Sequence, residues 1–154
     1  AKFGASDVQD LNWVQLLNAY TCTECGRCTS SCPANLTGKK LSPRKIMMDT
    51  RDRLEEVGKN IDANKGVFVP DNKTLLNDYI TPEELWACTS CNACVEECPV
   101  NISPLSIIMD MRRYLVMEQS AAPMPLNAMM TNIENNGAPW QYSQQDRLNW
   151  KNEN

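Results

Sequence analysis

All eight cysteines of the chain fall in two strings of identical spacing. Each string reads C-x2-C-x2-C-x3-C-P, where x is any residue; the first runs from Cys22 to Pro33 and the second from Cys88 to Pro99. The first three cysteines of each string recur every third residue, a step that drifts around the axis of a straight helix. We therefore expect each string to be a loop that turns three thiolates toward one centre.

This spacing is the bacterial ligand run for 4Fe–4S clusters, so it predicts two such clusters and a role in moving electrons. In two-cluster proteins with this run, the fourth cysteine of each string ligates the other cluster. That rule predicts two ligand sets: Cys22, Cys25, Cys28 and Cys98 for one cluster, and Cys88, Cys91, Cys94 and Cys32 for the other. Four thiolates for each cluster leave no iron open, so no catalytic cluster is expected.

Eight cysteines would also suit four disulfides or two zinc sites. Disulfides are disfavoured because cysteines three apart are typical of metal ligands and the first residues do not read as a secretory leader. Zinc ribbons usually present two C-x2-C pairs and a spacer, but a zinc-stabilised structural or interaction module remains the alternative. The chain has no histidine, which excludes His-ligated zinc and haem, Rieske clusters, and Ser-His or Cys-His dyads.

Two local signals support wrapped loops. Gly26 follows the second cysteine of the first string, and Asn92 takes the same place in the second. Glycine and asparagine enter the left-handed backbone region most cheaply. Pro33 and Pro99 bias the cysteines before them away from the helical region. Such loops would point backbone N–H groups at the sulfurs and stabilise their negative charge.

The strings belong to a longer internal duplication. PRKIMMDTRDRL, which begins at Pro43, aligns with PLSIIMDMRRYL, which begins at Pro104. Ser42 and Ser103 precede these prolines, so each copy predicts a helix with serine at the N-cap and proline at the first helical position. We expect one apolar face of each helix to pack on the clusters and on the other helix: Ile46, Met47, Leu54 and Val57, and Ile107, Ile108, Met111 and Leu115.

Ahead of the first string, apolar residues at helical spacing predict a helix from about Asp7 to Tyr20, with Ser6 and Gln9 as its capping box. The apolar stripe of this helix includes Trp13. We interpret Trp13 and Tyr20 as core residues, and shielding of a cluster is the alternative.

The remaining segments carry weaker signals. The first repeated helix is predicted to end at Gly58, and residues 59–80 read as a loop with a short helix around 73–79 and no evident chemistry. The run of Thr81, Pro82 and two glutamates predicts a helix start. Farther on we expect a linker at 121–125, a helix over about 126–135 that ends at Gly137, and a loose polar tail.

Charge and hydropathy exclude some functions. The formal net charge of −4 argues against a nonspecific nucleic-acid surface. No apolar run approaches the roughly 18 residues of a membrane span. A group of basic residues suits either an acidic partner or a solvated face, and we favour the solvated face. The group is Lys39, Lys40, Arg44, Lys45, Arg51 and Arg53.

The two strings, the mostly helical spacer between them and the paired Pro-x-x-Ile helices resemble the α-helical ferredoxin domain. The most specific parts are LNAYTCTECGRCTSSCP, from Leu17, and LWACTSCNACVEECPV, from Leu85. Over about residues 7–118 the chain is similar to the small subunit of heterodisulfide reductase and to the iron–sulfur subunits of anaerobic glycerol-3-phosphate dehydrogenase and glycolate oxidase. The fold class that this implies is mainly α, with a duplicated cysteine loop and helix around two clusters.

The resemblance also implies a place in a larger oxidoreductase. In these families the domain passes electrons between a flavin or membrane partner and a cysteine-rich catalytic domain with a CCG signature, which this chain lacks. We expect residues 1–118 to form the two-cluster domain, without a catalytic site, and residues 119–154 to be a linker and tail leading to a further domain. The implied partner is a redox domain or subunit of flavin, quinone-linked or CCG type, with no nucleic acid. The implied location is cytoplasmic, at the inner face of a membrane through the parent complex.

Overall fold

The computed structural model describes residues 2–152 and confirms the predicted helical fold class. Among those residues there is no β-strand, apart from an isolated bridge between Leu76 and Ile80. The α-helices, numbered along the chain, are α1 Trp13–Thr21, α2 Arg27–Ser30, α3 Pro33–Leu36, α4 Pro43–Ala63, α5 Leu75–Asp78, α6 Pro82–Ala87, α7 Ala93–Glu96, α8 Pro104–Met117 and α9 Met124–Asn136.

The chain divides into two compact units. The first ends at Gln119 and holds α1 to α8 with both cysteine strings; the second begins at Ser120 and holds α9 and a 3₁₀ helix, Gln144–Lys151. None of the helices within residues 2–152 has both the length and the apolar character of a membrane span. The connector role of residues 119–154 stays a prediction, and the last two of them, Glu153 and Asn154, lie outside the described residues.

The core of the first unit forms where α4 packs against α8. Both helices have the predicted serine caps: Ser42 Oγ accepts from the Lys45 N–H at 3.3 Å, and Ser103 Oγ accepts from the Ser106 N–H at 3.3 Å. The predicted apolar positions of both helices are buried, except for Leu54, which is half-buried. The duplication therefore places two equivalent helices face to face.

The predicted end of α4 at Gly58 is wrong. The helix continues to Ala63, with Asn64 as its C-cap. A glycine inside a helix costs only about 0.5–1 kcal/mol relative to alanine. Val57 is buried and Ile61 packs against the core, so apolar contacts on both sides of the glycine offset that cost.

The helix predicted ahead of the first cysteine string is interrupted. Val8–Asp10 form a 3₁₀ turn, and α1 begins after its N-cap, Asn12. The Asn12 side chain accepts from the Gln15 N–H at 3.0 Å, and Gln15 Oε1 accepts from the Asn12 N–H at 2.9 Å. The predicted capping box of Ser6 with Gln9 is therefore wrong, because this reciprocal pair starts the helix later in the chain.

The interpretation of Trp13 and Tyr20 as core residues is also wrong, since they are 73% and 52% exposed. The residues that α1 buries are Gln15 and Ala19. Gln15 Nε2 donates to the Asp110 carboxylate of α8 at 2.7 Å. A polar residue therefore occupies the inner side of α1, and much of its apolar stripe faces outward.

Arg53 of α4 is fully buried and forms the centre of an ionic network. Its guanidinium reaches the Asp7 carboxylate at 2.8 and 3.0 Å and the Asp71 carboxylate at 2.5 and 3.0 Å. Nη2 also donates to the Lys73 carbonyl at 2.8 Å. The hydrogen bond from Arg53 lowers the pKa of Asp71 to about 2. The network attaches the N-terminal segment and the segment after α4 to the core.

The predicted basic group is not one surface. Arg53 is buried, so the solvated-face interpretation is wrong for that residue. Arg51 pairs with Glu24 at 2.5 Å, and Lys45 pairs with Glu84 at 2.9 Å. These ion pairs join different segments of the first unit.

Residues 59–80 contribute to the core, which no sequence pattern indicated. Leu75, Leu76 and Ile80 are at most 1% exposed. The short helix predicted in this segment is reduced to α5, whose backbone leaves the helical region at Leu76 and Asn77. The helix start predicted at Thr81 is confirmed, because its side chain accepts from the Glu84 N–H at the start of α6.

The second unit contains the predicted helix. α9 extends slightly beyond the predicted bounds at both ends, and Gly137 is its C-cap, as predicted. The tail, expected to be loose, forms the 3₁₀ helix, and its two tryptophans, Trp140 and Trp150, are 61% and 68% exposed.

Candidate metal centres

Both cysteine strings turn through left-handed backbone at matching positions. Gly26 has φ +80° and Asn92 has φ +62°, as predicted. Glu24 and Ser90, each directly before the second cysteine of its string, also have φ near +57°. No sequence signal marks those two residues. Left-handed residues on both sides of the second cysteine produce the tight wrap that was expected.

Each wrap points a backbone N–H at the sulfur of the second cysteine. A hydrogen bond from the Arg27 N–H lowers the pKa of the Cys25 thiol. One from the Ala93 N–H, at the same place in the second string, lowers the pKa of the Cys91 thiol. These donors favour the thiolate, which is the form that binds metal.

The first cavity is lined by cysteines from both strings. It encloses about 350 Å³, including its mouth, and Met47 and Ile102 form part of its apolar wall. The cysteines at its wall are Cys22, Cys25, Cys28, Cys94 and Cys98. The four members of the first predicted ligand set therefore meet here, together with one cysteine of the second set.

The second cavity is lined by three cysteines of the second string and one cysteine of the first. It encloses about 320 Å³, and its wall includes Leu41 and Ile108. Its cysteines are Cys32, Cys88, Cys91 and Cys94, the four members of the second predicted set. Within residues 2–152, no three cysteine, aspartate or glutamate side chains are grouped as ligands of a single metal ion. The sulfurs instead line two spaces of nearly equal size.

Cys94 lies at the wall of both cavities. Burial raises the pKa of its thiol to about 11, and the nearby sulfurs of Cys88, Cys28 and Cys32 add to the shift. Burial also raises the pKa of Cys28. Thiolates in these positions require a compensating positive charge, which a bound metal centre supplies.

Two arginines lie beside the cysteine strings, and the sequence patterns did not reveal their role. Arg51 and Arg112 occupy equivalent positions of the duplicated helices. Arg112 donates to the carbonyls of Leu85 and Cys88 at 2.6 and 2.5 Å, whereas Arg51 pairs with Glu24. Arginine recurs at the same position of the two aligned helix sequences, and this recurrence could have identified both residues in advance.

The helical unit and its two cysteine-lined cavities define an iron–sulfur electron-transfer domain. The chain belongs to the 4Fe–4S dicluster domain family, whose sequence profile matches residues 21–102. The matched residues hold both cysteine strings and the whole of α4.

Curated relatives include larger oxidoreductases. The chain is 36% identical over 180 residues to the probable iron–sulfur-binding oxidoreductase FadF of Bacillus subtilis, and the match covers 98% of this chain and 25% of that protein. It is 34% identical over 169 residues to the EtfAB:quinone oxidoreductase of Syntrophomonas wolfei, with 98% and 24% covered. It is 35% identical over 108 residues to one subunit of the ferredoxin/F420H2-dependent CoB-CoM heterodisulfide reductase of Methanosarcina acetivorans, with 70% and 52% covered.

The chain thus spans about a quarter of the length of the first two relatives and about half of the third. These matches confirm the predicted relationship to heterodisulfide reductase and to iron–sulfur oxidoreductases.

Proposed function

We propose that the chain holds two 4Fe–4S clusters and relays electrons within a larger oxidoreductase. The observation that carries this proposal is the mixed lining of the cavities, since each has three cysteines of one string and the fourth cysteine of the other. The proposal includes crossed ligation, with Cys22, Cys25, Cys28 and Cys98 on one cluster and Cys88, Cys91, Cys94 and Cys32 on the other.

A 4Fe–4S cluster supplies one-electron oxidation and reduction. The chain's own residues bind the cluster and set its environment. The N–H groups of Arg27 and Ala93 donate to cysteine sulfur and favour the more negative state. Arg112 brings positive charge beside Cys88, the first cysteine of the second string, whereas the charge of Arg51 is offset by its ion pair with Glu24. The apolar cavity walls limit water, which also affects the reduction potential.

The proposed place of this relay is between a flavin or quinone-linked partner and a cysteine-rich domain of CCG type. The name of the Syntrophomonas wolfei relative includes EtfAB and a quinone, which supports the quinone-linked choice. A quinone partner would place the relay at a membrane surface, and we propose that this is the inner, cytoplasmic face. Residues 119–154 would then connect it to the next domain.

Iron analysis of the wild type and two double variants tests both the number of clusters and their ligation. The anaerobically reconstituted wild type should bind about eight irons per chain, which is four for each cluster. Cys32→Ala with Cys91→Ala disturbs one proposed set and should retain about four irons. The matched control, Cys32→Ala with Cys25→Ala, disturbs both sets and should retain almost none.

Uncrossed ligation would exchange the results of the two double variants. A wild type that binds two zinc ions and no iron would favour the zinc-stabilised module instead. Serine variants address the case in which losing one cluster unfolds the chain, because serine keeps an oxygen ligand. Cys32→Ser and Cys91→Ser should alter the same electron paramagnetic resonance signal of the reduced protein, and Cys25→Ser should alter the other.

A further inference from the structure

The outward side of α1 is an exposed apolar surface within the first unit. Trp13, Val14, Leu17 and Tyr20 are 73%, 44%, 54% and 52% exposed. Four such residues on a nine-residue helix exceed the scattered exposure of single apolar side chains that is normal on protein surfaces. We refer to these four residues as the α1 face.

The second copy of the duplication provides an internal comparison. α6 precedes the second cysteine string as α1 precedes the first, and Trp86 and Tyr20 each lie two residues before the first cysteine. Trp86 packs against the core, with the Arg112 guanidinium 4.9 Å from its ring centre, and Leu85 is fully buried. Equivalent helices thus cover their aromatic residue in one copy and expose it in the other.

The helix that carries the α1 face leads along the chain into the first cysteine string, and two exposed cations lie on or beside that string. α1 ends one residue before Cys22, which lines the cavity, and Cys25 at the same wall is exposed. Arg27 and Arg44 are both exposed, and within residues 2–152 neither forms an ion pair. Nη1 of Arg44 lies 3.9 Å from the place that a Cβ on Gly26 would occupy.

We propose that the α1 face, with Arg27 and Arg44, is the docking surface for a protein electron carrier that has an apolar centre and an acidic rim. Electrons would enter or leave at the first cavity, so this inference rests on the proposed relay function. Apolar contact supplies affinity, and the two arginines select a carrier of opposite charge and speed its encounter. The aromatic residue of the second copy, Trp86, is half-buried and packed under the Arg112 guanidinium, so the equivalent surface there is less suitable for docking.

A membrane surface fits these residues less well than an acidic protein. Helices that lie in a bilayer interface carry lysine and arginine on their polar side. α1 has neither, and on its inner side Gln15 is bonded to Asp110 of α8. The helix therefore offers a bilayer its apolar side only.

The test is electron transfer from the reduced, cluster-loaded chain to oxidised plant plastocyanin, an acidic one-electron acceptor, followed by stopped-flow absorbance. Leu17→Ser and Arg44→Gln should each lower the second-order rate constant about fivefold or more, and added salt should slow the wild type. Val67→Ser and Lys59→Gln are matched controls, because they remove an exposed apolar residue and an exposed cation outside the surface, and they should change the rate less than about twofold.

Oxidation by neutral p-benzoquinone tests whether the reduced chain can give up electrons when no docking surface is needed. It should proceed at the same rate in the wild type and in Leu17→Ser, because a small acceptor needs no docking surface. If benzoquinone does not oxidise the reduced wild type, the relay function fails. If it does, and Leu17→Ser and Arg44→Gln transfer electrons to plastocyanin as fast as the controls, the docking inference is overturned. Loss of sedimentation with phosphatidylglycerol vesicles in Leu17→Ser, at an unchanged plastocyanin rate, would assign the surface to a membrane instead.

Discussion

Gly4 allows the N-terminal segment to lie directly against α8. Its φ is +72°, and a Cβ at this position would overlap the Asp110 carbonyl oxygen and the Tyr114 backbone nitrogen. The next residue, Ala5, is buried and donates its N–H to the same Asp110 carbonyl at 3.0 Å. Glycine is therefore required here by close backbone approach as well as by the left-handed conformation.

We expect Gly4→Ala to destabilise the cluster-loaded chain more than Gly38→Ala does. Both positions have φ near +75°, so both should lose about 1–2 kcal/mol for left-handed alanine. Only Gly4→Ala adds a clash with backbone, since nothing lies within 4 Å of a Cβ at Gly38. Anaerobic denaturant unfolding measures both losses, and equal losses would mean that the N-terminal segment is not held against α8.

Left-handed positions show what could be predicted at single residues. Gly26 and Asn92 were found from the sequence because their residue types favour that backbone. Glu24 and Ser90 adopt it as well, and nothing in their chemistry indicates this. The backbone on both sides of the second cysteine has to turn for the loop to wrap. The conformation of Glu24 and Ser90 is therefore imposed by the loop and not by their residue types.

The long helix α4 is joined to two distant segments by Arg53. The Asp7 carboxylate precedes α1, and Asp71 follows α4 by several residues, yet both bind one guanidinium. Asp7 also accepts from the Leu75 N–H at 3.2 Å. One buried arginine thereby fixes the positions of three elements.

Arg53→Met should lower the free energy of unfolding by about 3–5 kcal/mol, because it leaves two carboxylates without their cation. Lys59→Met, on the same helix but largely exposed, should change it by only about 0.5 kcal/mol or less. Urea unfolding of both variants, followed by circular dichroism, measures the difference. A loss below about 1 kcal/mol in Arg53→Met would show that the network is not a main source of stability.

Helix starts were largely predictable and tertiary partners were not. Ser42, Ser103 and Thr81 begin helices as their local sequences indicate, since a cap acts within one turn. The segment after α4 is held in the core by the ion pair between Asp71 and Arg53. Hydropathy and turn signals describe neighbouring residues only, so they could not reveal this pair. The same applies to α1, whose inner side carries the bond from Gln15 to Asp110, a residue far away in the sequence.

We expect the stability of the first unit to depend on what fills its two cavities. Both cavities open among core residues and hold buried thiols beside them. An empty cavity costs contacts, and crowded thiolates repel one another without metal. Cluster binding should therefore be coupled to folding of this unit.

Removal of iron by a chelator with ferricyanide should abolish the cooperative unfolding transition. It should also remove most of the helical circular dichroism signal that the first unit contributes. Addition of iron and sulfide under reducing, anaerobic conditions should restore both. Chelator without oxidant is the control and should act much more slowly. A metal-free chain that keeps its helical signal and unfolds cooperatively would contradict this coupling.

The duplication made the fold class predictable, because two copies of one loop-and-helix unit specify two matched sites. The cysteine spacing also predicts that both strings contribute to each site. The packing of α4 on α8, which brings the strings together, is indicated in the sequence only as two apolar faces. The ligand sets stay a prediction until iron content and spectra have been measured.

The position of Cys94 in the wall of both cavities has a consequence for the speed of the proposed relay. Because one side chain lines both spaces, they lie close together there. Tunnelling rates fall steeply with separation, so a charge arriving in either space would equilibrate with the other long before a bound protein could dissociate. The pair would then act as one reservoir of two electrons.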